Sequence, residues 1–158
     1  MSSIRDQYFM KKALEQARVA YSLGEVPIGA VMVRGDEVVS AAHNLREALK
    51  DPSAHAEFIA IEAASLKEER WRLSDMEVYV TLEPCLMCAG LMINSRVKRC
   101  VFGTRDPKGG ALKSLYTLAE DERLNHSFEV VEGVLEKECS EILQMFFREL
   151  RKTKKRLR

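Results

Sequence analysis

A chain of 158 residues, 46% hydrophobic and 31% charged, has the size of one domain and enough apolar content to bury a sizeable core, which excludes disorder along most of its length. No run approaches the roughly 20 apolar residues of a membrane helix and the N-terminus lacks the apolar stretch of a secretory signal, so no membrane association is expected and the cytoplasm is the expected compartment. The net charge of +1 hides a segregation, because residues 148–158 hold seven Lys or Arg and one Glu, a tail of +6 against −5 elsewhere.

In chain order, residues 3–23 read as an amphipathic helix with Tyr8, Phe9, Leu14, Ala17, Val19 and Tyr21 as apolar members, closed by Gly24. Strands over 27–33 and 37–42 meet at Arg34-Gly35-Asp36, a short Gly-containing turn that favours an antiparallel hairpin. Asp51-Pro52-Ser53 starts a helix over 54–66, with His55 in its first turn. A β-branched and aromatic strand follows over 76–82, and Glu83-Pro84 introduces a helix over about 85–95. Residues 97–103 read as a strand, 104–110 as a charged, Gly-rich loop and 128–131 as a short strand. A helix over 135–158 carries Leu135, Ile142, Leu143, Phe146, Phe147 and Leu150 on its apolar side before the basic tail. This order predicts an α/β fold with a mixed sheet covered by helices, either a two-layer sandwich or a three-layer α-β-α sandwich around a central mixed five-stranded sheet. With no repeat and no interior linker, residues 1–158 read as a single domain.

The chemistry concentrates in His55-Ala56-Glu57 and Pro84-Cys85-Leu86-Met87-Cys88, separated by one helix body and one strand. Two helices side by side would bring these segments together, gathering one imidazole and two thiolates around one point. Three N or S ligands suit tetrahedral zinc at about 2.0–2.3 Å and leave a fourth position to water, the mark of a catalytic site. Cys85 and Cys88 stand i, i+3 on one helix face, where the helix dipole favours thiolate. His55 and Glu57 lie about 200° apart on a regular helix, so Glu57 can serve as proton acceptor and donor without becoming a ligand. A lone Cys-x-x-Cys also fits a redox pair or half of a four-thiolate zinc site, but no second pair exists here. Cys100 and Cys139, on an apolar strand and a helix, read as buried thiols.

His-x-Glu followed by Pro-Cys-x-x-Cys is the signature of zinc nucleobase deaminases. At these residues the chain resembles the cytidine and nucleobase deaminase superfamily and, within it, the bacterial tRNA adenosine deaminases. The likeness continues through Gly24-Glu25-Val26-Pro27-Ile28-Gly29-Ala30, His43-Asn44, residues 51–57, 79–90 and 102–110, Asn125-His126 and Phe146-Phe147-Arg148. It implies a cytidine deaminase-like fold, one Zn2+ per chain on His55, Cys85 and Cys88, and Glu57 as the catalytic acid/base. It also implies a homodimer that converts adenosine to inosine at the wobble position of a tRNA anticodon, in bacteria typically an arginine tRNA. Asn44 would touch the target nucleotide, Asp106 and Lys108 would lie beside the RNA, and Phe146, Phe147 and Arg151 would line the RNA groove. Read alone, Asn44 is a turn or strand-end residue and Asp106 with Lys108 a solvated loop. The basic tail read alone fits phosphate attraction and a solvated helix end equally well. Ser127 departs from the pattern, which usually has arginine there.

Overall fold

The computed structural model describes residues 3–156. Helix α1 (Ile4–Ser22) starts at Ser3, whose hydroxyl accepts the Asp6 N–H, a cap that satisfies one of the free donors of a helix start. It is followed by β1 (Gly29–Arg34), β2 (Glu37–His43), the single-turn α2 (Arg46–Leu49) and α3 (Ala56–Glu68). Then come β3 (Glu77–Leu82), α4 (Leu86–Ser95), β4 (Arg99–Thr104), a 3₁₀ turn at Leu118–Glu120, β5 (Glu129–Val131) and α5 (Glu136–Arg156). The sheet order is β2-β1-β3-β4-β5; β1 is antiparallel to β2 and β3, while β3, β4 and β5 run parallel.

The expected three-layer sandwich with a mixed five-stranded sheet is therefore the architecture found. The two-residue strand period sorts side chains to opposite faces. Ala30, Met32, Val78, Val80, Cys100 and Phe102 pack against the Ala56, Ala60, Ile61 and Ala64 stripe of α3 and against Ala89 and Met92 of α4. Val31, Val33, Tyr79 and Val101 meet Phe9, Met10, Ala13 and Leu14 of α1 and Cys139 of α5. At Gly29 an added Cβ would strike the backbone of Ala13 and Ala17, so α1 can lie this close to β1 only over glycine.

Several boundaries differ from the sequence reading. His55 and Cys85 are not within first turns: each is the extended N-cap residue of its helix, with φ −78°, so the 200° helical separation of His55 and Glu57 does not apply. On α1 the buried stripe is Phe9, Met10, Ala13, Leu14, Ala17 and Ala20, whereas Tyr8 and Val19 lie off that 3–4 spacing and are exposed. Leu135, at φ +52°, precedes α5 instead of opening it, and positions 157 and 158 of the expected 135–158 helix lie outside the described residues. Helix α2 and the 3₁₀ turn are too short to show periodicity. Cys100 and Cys139 are buried thiols, as expected. No helix among the described residues is long and apolar enough to cross a membrane.

At the end of the sheet where β3 and β4 begin, Arg99 bonds to Asp6 (2.6 Å) and Glu77 (2.7 Å), and Arg5 bonds to Glu77 (2.8 Å). The Tyr79 hydroxyl donates to Asp6 at 2.6 Å. This network ties the start of α1 to β3 and β4. Arg99, with help from Tyr79, overcomes burial and holds the Asp6 carboxyl down at about 2. A folded-state pKa below that of the unfolded chain contributes stability above about pH 4, and this is lost as pH falls towards 2. Asp6→Asn should therefore lower the unfolding free energy in urea by about 2 kcal/mol at pH 7, with the gap to the wild type closing between about pH 4 and 2.

Candidate active site

Helices α3 and α4 start side by side at the end of the sheet where β3 finishes. The chain enters α3 through an Asx turn: Asp51 accepts the Ser53 N–H (2.8 Å) and hydroxyl (2.7 Å), and the His55 N–H donates to Ser53 O. This holds His55 extended, with its ring free of capping duty. Pro84, buried after β3, holds its O on the Ala111 N–H at 2.9 Å and delivers Cys85 as the extended cap of α4. Cys88 follows in the first turn of α4.

The result is a tight donor set. His55 Nδ1 lies 3.6 Å from the Sγ atoms of both Cys85 and Cys88, and the three donor atoms all fall within 4.8 Å of one another. Tetrahedral ligation with Zn–S and Zn–N bonds of ordinary length places N and S donors about 3.5 Å apart, so the set fits a metal ion. Hydrogen bonding from Cys88 and then from His55 pulls the Cys85 thiol down despite burial, and its sulfur and burial push Cys88 up. The bond to Cys85 likewise raises His55.

Glu57 sits on the first turn of α3 and is 3% exposed. Its Oε1 is buried without a hydrogen-bond partner, a costly state for a carboxylate unless a proton or a bound molecule meets it. Burial pushes its carboxyl up to about 7, which suits a group that must both take and give a proton near neutral pH.

A cavity of about 230 Å³ opens over this centre. His55, Glu57 and Cys85 form its floor, Val26, Ile28 and Leu82 its apolar side, and Asn44, Arg46, Asp106 and Phe147 its polar side and mouth. Asn44 is 3% exposed and fixed by its Nδ2 donating to Val26 O and its Oδ1 accepting the Arg46 N–H. Phe147 also lines a second groove beside Arg105, Arg148 and Arg151. Of the residues expected from sequence, the structure brings His55, Glu57, Cys85, Cys88, Asn44, Asp106 and Phe147 together. Arg151 stands in the adjoining groove, Lys108 is exposed outside the cavity, and the Phe146 ring packs on Tyr21 of α1 at 5.7 Å.

Sequence reasoning passed over Arg46 and two buried carboxylates, Glu83 in the cavity lining and Glu25 outside it. Glu25 accepts the N–H groups of Glu47 (3.0 Å) and Ala48 (2.7 Å). Glu83 accepts from Asp106, Leu112, Lys113 and Ser114; burial would raise its pKa, but Ser114 and the backbone donors outweigh that and hold it low. The only signal either carried was a glutamate inside an otherwise apolar or Pro-flanked stretch.

The profile of the MafB19-like deaminases matches residues 4–151. A tRNA-specific adenosine deaminase of Bacillus subtilis (strain 168) is 51% identical over 154 residues, 98% of this chain and 96% of the relative. One of Haemophilus influenzae is 44% identical over 95% of this chain and 87% of its own length. Among solved structures, one from a study of A-to-I editing by tRNA:A34 deaminases at the wobble position of transfer RNA superimposes with a TM-score of 0.83 at 40% identity, covering 86% of this chain and 99% of that one.

The donor set makes a metal prediction that needs no substrate. Apo protein titrated with cobalt(II) should take up about one ion per chain and develop thiolate-to-cobalt charge-transfer absorption. Cys88→Ser should lose that absorption and Cys100→Ser, altered at a thiol buried in the sheet, should keep it.

Proposed function

The chain belongs to the family of tRNA-specific adenosine deaminases, and we infer that it hydrolyses adenosine to inosine at the wobble position of a tRNA anticodon, releasing ammonia. The observation that carries this reading is the buried, unpartnered Oε1 of Glu57 beside a His–Cys–Cys donor set at the floor of a cavity.

The metal assigned to His55, Cys85 and Cys88 is zinc, one per chain. Held by these residues, zinc would supply Lewis acidity, lowering the pKa of a water towards neutrality. Glu57 takes a proton from the attacking water as its oxygen adds to C6 of the purine and passes it to the ring nitrogen; it then takes the remaining proton of the C6 hydroxyl and gives it to the amine, so that the C6 carbonyl forms as the C–N bond breaks and ammonia leaves. A carboxyl poised near 7 can do both in turn. The apolar side formed by Val26, Ile28 and Leu82 suits a flat base removed from its stack, and paying for that unstacking is easiest in an unpaired loop.

Asn44 and Asp106 are assigned to the target nucleotide and the RNA next to it, Phe147 to the mouth, and Phe146, Arg151 and Lys108 to the flanking RNA surface. Support comes from the groove of Arg105, Arg148 and Arg151 that continues from the cavity past Phe147. It offers guanidinium groups where a phosphodiester chain would leave the pocket. The tRNA is assigned as an arginine tRNA and the compartment as the cytoplasm. Residues 1–158 act as one deaminase domain and assemble as a homodimer; Leu66, Trp71 and Leu86, all more than half exposed around α3 and α4, are apolar surface that a second copy would cover.

An anticodon stem-loop with adenosine at the wobble position should yield inosine. Glu57→Ala should keep the cobalt spectrum and lose at least about a hundredfold in rate; undiminished activity in that variant would overturn the proton-transfer role. Deletion of residues 152–158 should weaken stem-loop binding and flatten its salt dependence, leaving the single-turnover rate at saturating RNA within about twofold. An unchanged Kd would refute the role of the tail.

A further inference from the structure

The chain leaving β4 turns around one side chain. Glu83 is 2% exposed, and its Oε1 accepts the Asp106 N–H (3.0 Å) and the Ser114 hydroxyl (2.5 Å). Its Oε2 accepts the N–H groups of Leu112 (3.2 Å), Lys113 (2.8 Å) and Ser114 (2.9 Å). All five donors belong to residues 106–114, and none is a cation. Gly110 lies flat against the carboxylate, so that a Cβ there would overlap it. Burying a carboxylate costs several kcal/mol unless it is matched, and here the match is made wholly by loop dipoles. The anion and the loop conformation therefore require each other.

This loop is a wall of the active-site cavity. Asp106 lines the cavity; its Oδ1 accepts the N–H groups of Lys108 and Gly109, and its own N–H is held by Glu83. Glu83 hence fixes the backbone from which Asp106 projects. Cys88 and Glu57 sit on α4 and α3, and no donor to Glu83 comes from either helix.

Resting on the reading that the cavity takes the wobble nucleotide, we propose that Glu83 is a positioning residue of the reaction, a buried anion around which the Asp106 wall is folded before substrate arrives. The wall grips substrate and leaves the proton-transfer machinery alone. Neutralising the anion, or crowding it, lowers binding and spares chemistry.

The test uses full-length protein and the anticodon stem-loop. Glutamine at position 83 keeps one acceptor but turns an NH2 group on backbone donors. Glu83→Gln should raise KM about tenfold with kcat within about threefold, the cobalt spectrum unchanged, and faster amide exchange at Leu112 to Ser114. Gly110→Ala, which replaces no residue of the cavity lining, should raise KM at least about threefold by pressing on the same carboxylate, and the double variant should fall short of the product of the two effects. An unchanged KM in folded, metal-loaded Glu83→Gln overturns the proposal, as does a fall in kcat at unchanged KM. If Glu83→Gln does not fold, an unchanged KM in Gly110→Ala overturns it. Failure of the wild-type protein to form inosine would instead strike the functional reading itself.

Discussion

The alignment of α3 and α4, with both N-termini at the end of the sheet where β3 stops, is the constraint from which the site follows. Each helix is preceded by a cap residue in extended conformation whose side chain joins the His–Cys–Cys donor set instead of capping the helix. Helix starts leave unsatisfied N–H groups and a partial positive charge. Such an environment favours a thiolate, as at Cys85, whereas deep burial works against the charge on Glu57. The same geometry lets His55 and Cys85 turn away from their helices towards each other while Glu57, one residue inside, points into the cavity beside them. The tight packing of small residues along α3, with Ala56, Ala60 and Ala64 buried against the sheet, is what allows the two starts to come so close.

Much of this was legible in the sequence. The strand and helix order, the hairpin at Gly35, the pairing of His55 with Cys85 and Cys88, and the layering of the fold all follow from periodicity, turn chemistry and ligand type. The helix caps were misplaced by a residue or two because the Asx turn at Asp51 and the Pro84 entry act through backbone hydrogen bonds, which a hydrophobic pattern does not register. Tyr8 and Val19 belong to the broadly helical apolar pattern of α1, but the stripe that packs on the sheet runs through Phe9, Met10, Ala13, Leu14, Ala17 and Ala20, and both lie off it. Phe146 and Phe147 are adjacent and alike, yet one packs on Tyr21 and the other reaches the cavity. Only the position of α5 relative to α1 separates them, and that is tertiary information.

The sheet divides its labour between its ends. Where β3 and β4 begin, Arg5, Asp6, Glu77, Tyr79 and Arg99 form a dense polar lock between α1 and the strands. Where β3 finishes, the cavity and the donor set lie among loops. A rigid far end lets the loops of the near end carry chemistry without loosening the core. The basic tail meets the near end through Arg148 and Arg151, whose groove reaches the cavity at Phe147, while residues 152–156 are exposed.

Five carboxylates are buried among the described residues, Asp6, Glu25, Glu57, Glu77 and Glu83, and their partners sort them by role. Asp6 and Glu77 face guanidinium groups, a match that fixes charge in place and serves the scaffold. Glu25 faces backbone N–H groups of the single-turn α2, which carries Arg46, and Glu83 faces those of the loop bearing Asp106. These bonds specify loop shape, because every donor must stand at a set distance from one of two oxygens. Glu57 alone keeps an oxygen with no partner. An anion matched by cations cannot easily change its protonation, and Glu83 is held ionised by the Ser114 hydroxyl and backbone dipoles. A carboxylate left unmatched and buried is the one free to gain and lose a proton. The side chain that looks least satisfied is therefore the one suited to move protons, and the better-satisfied ones hold the walls and frame around it.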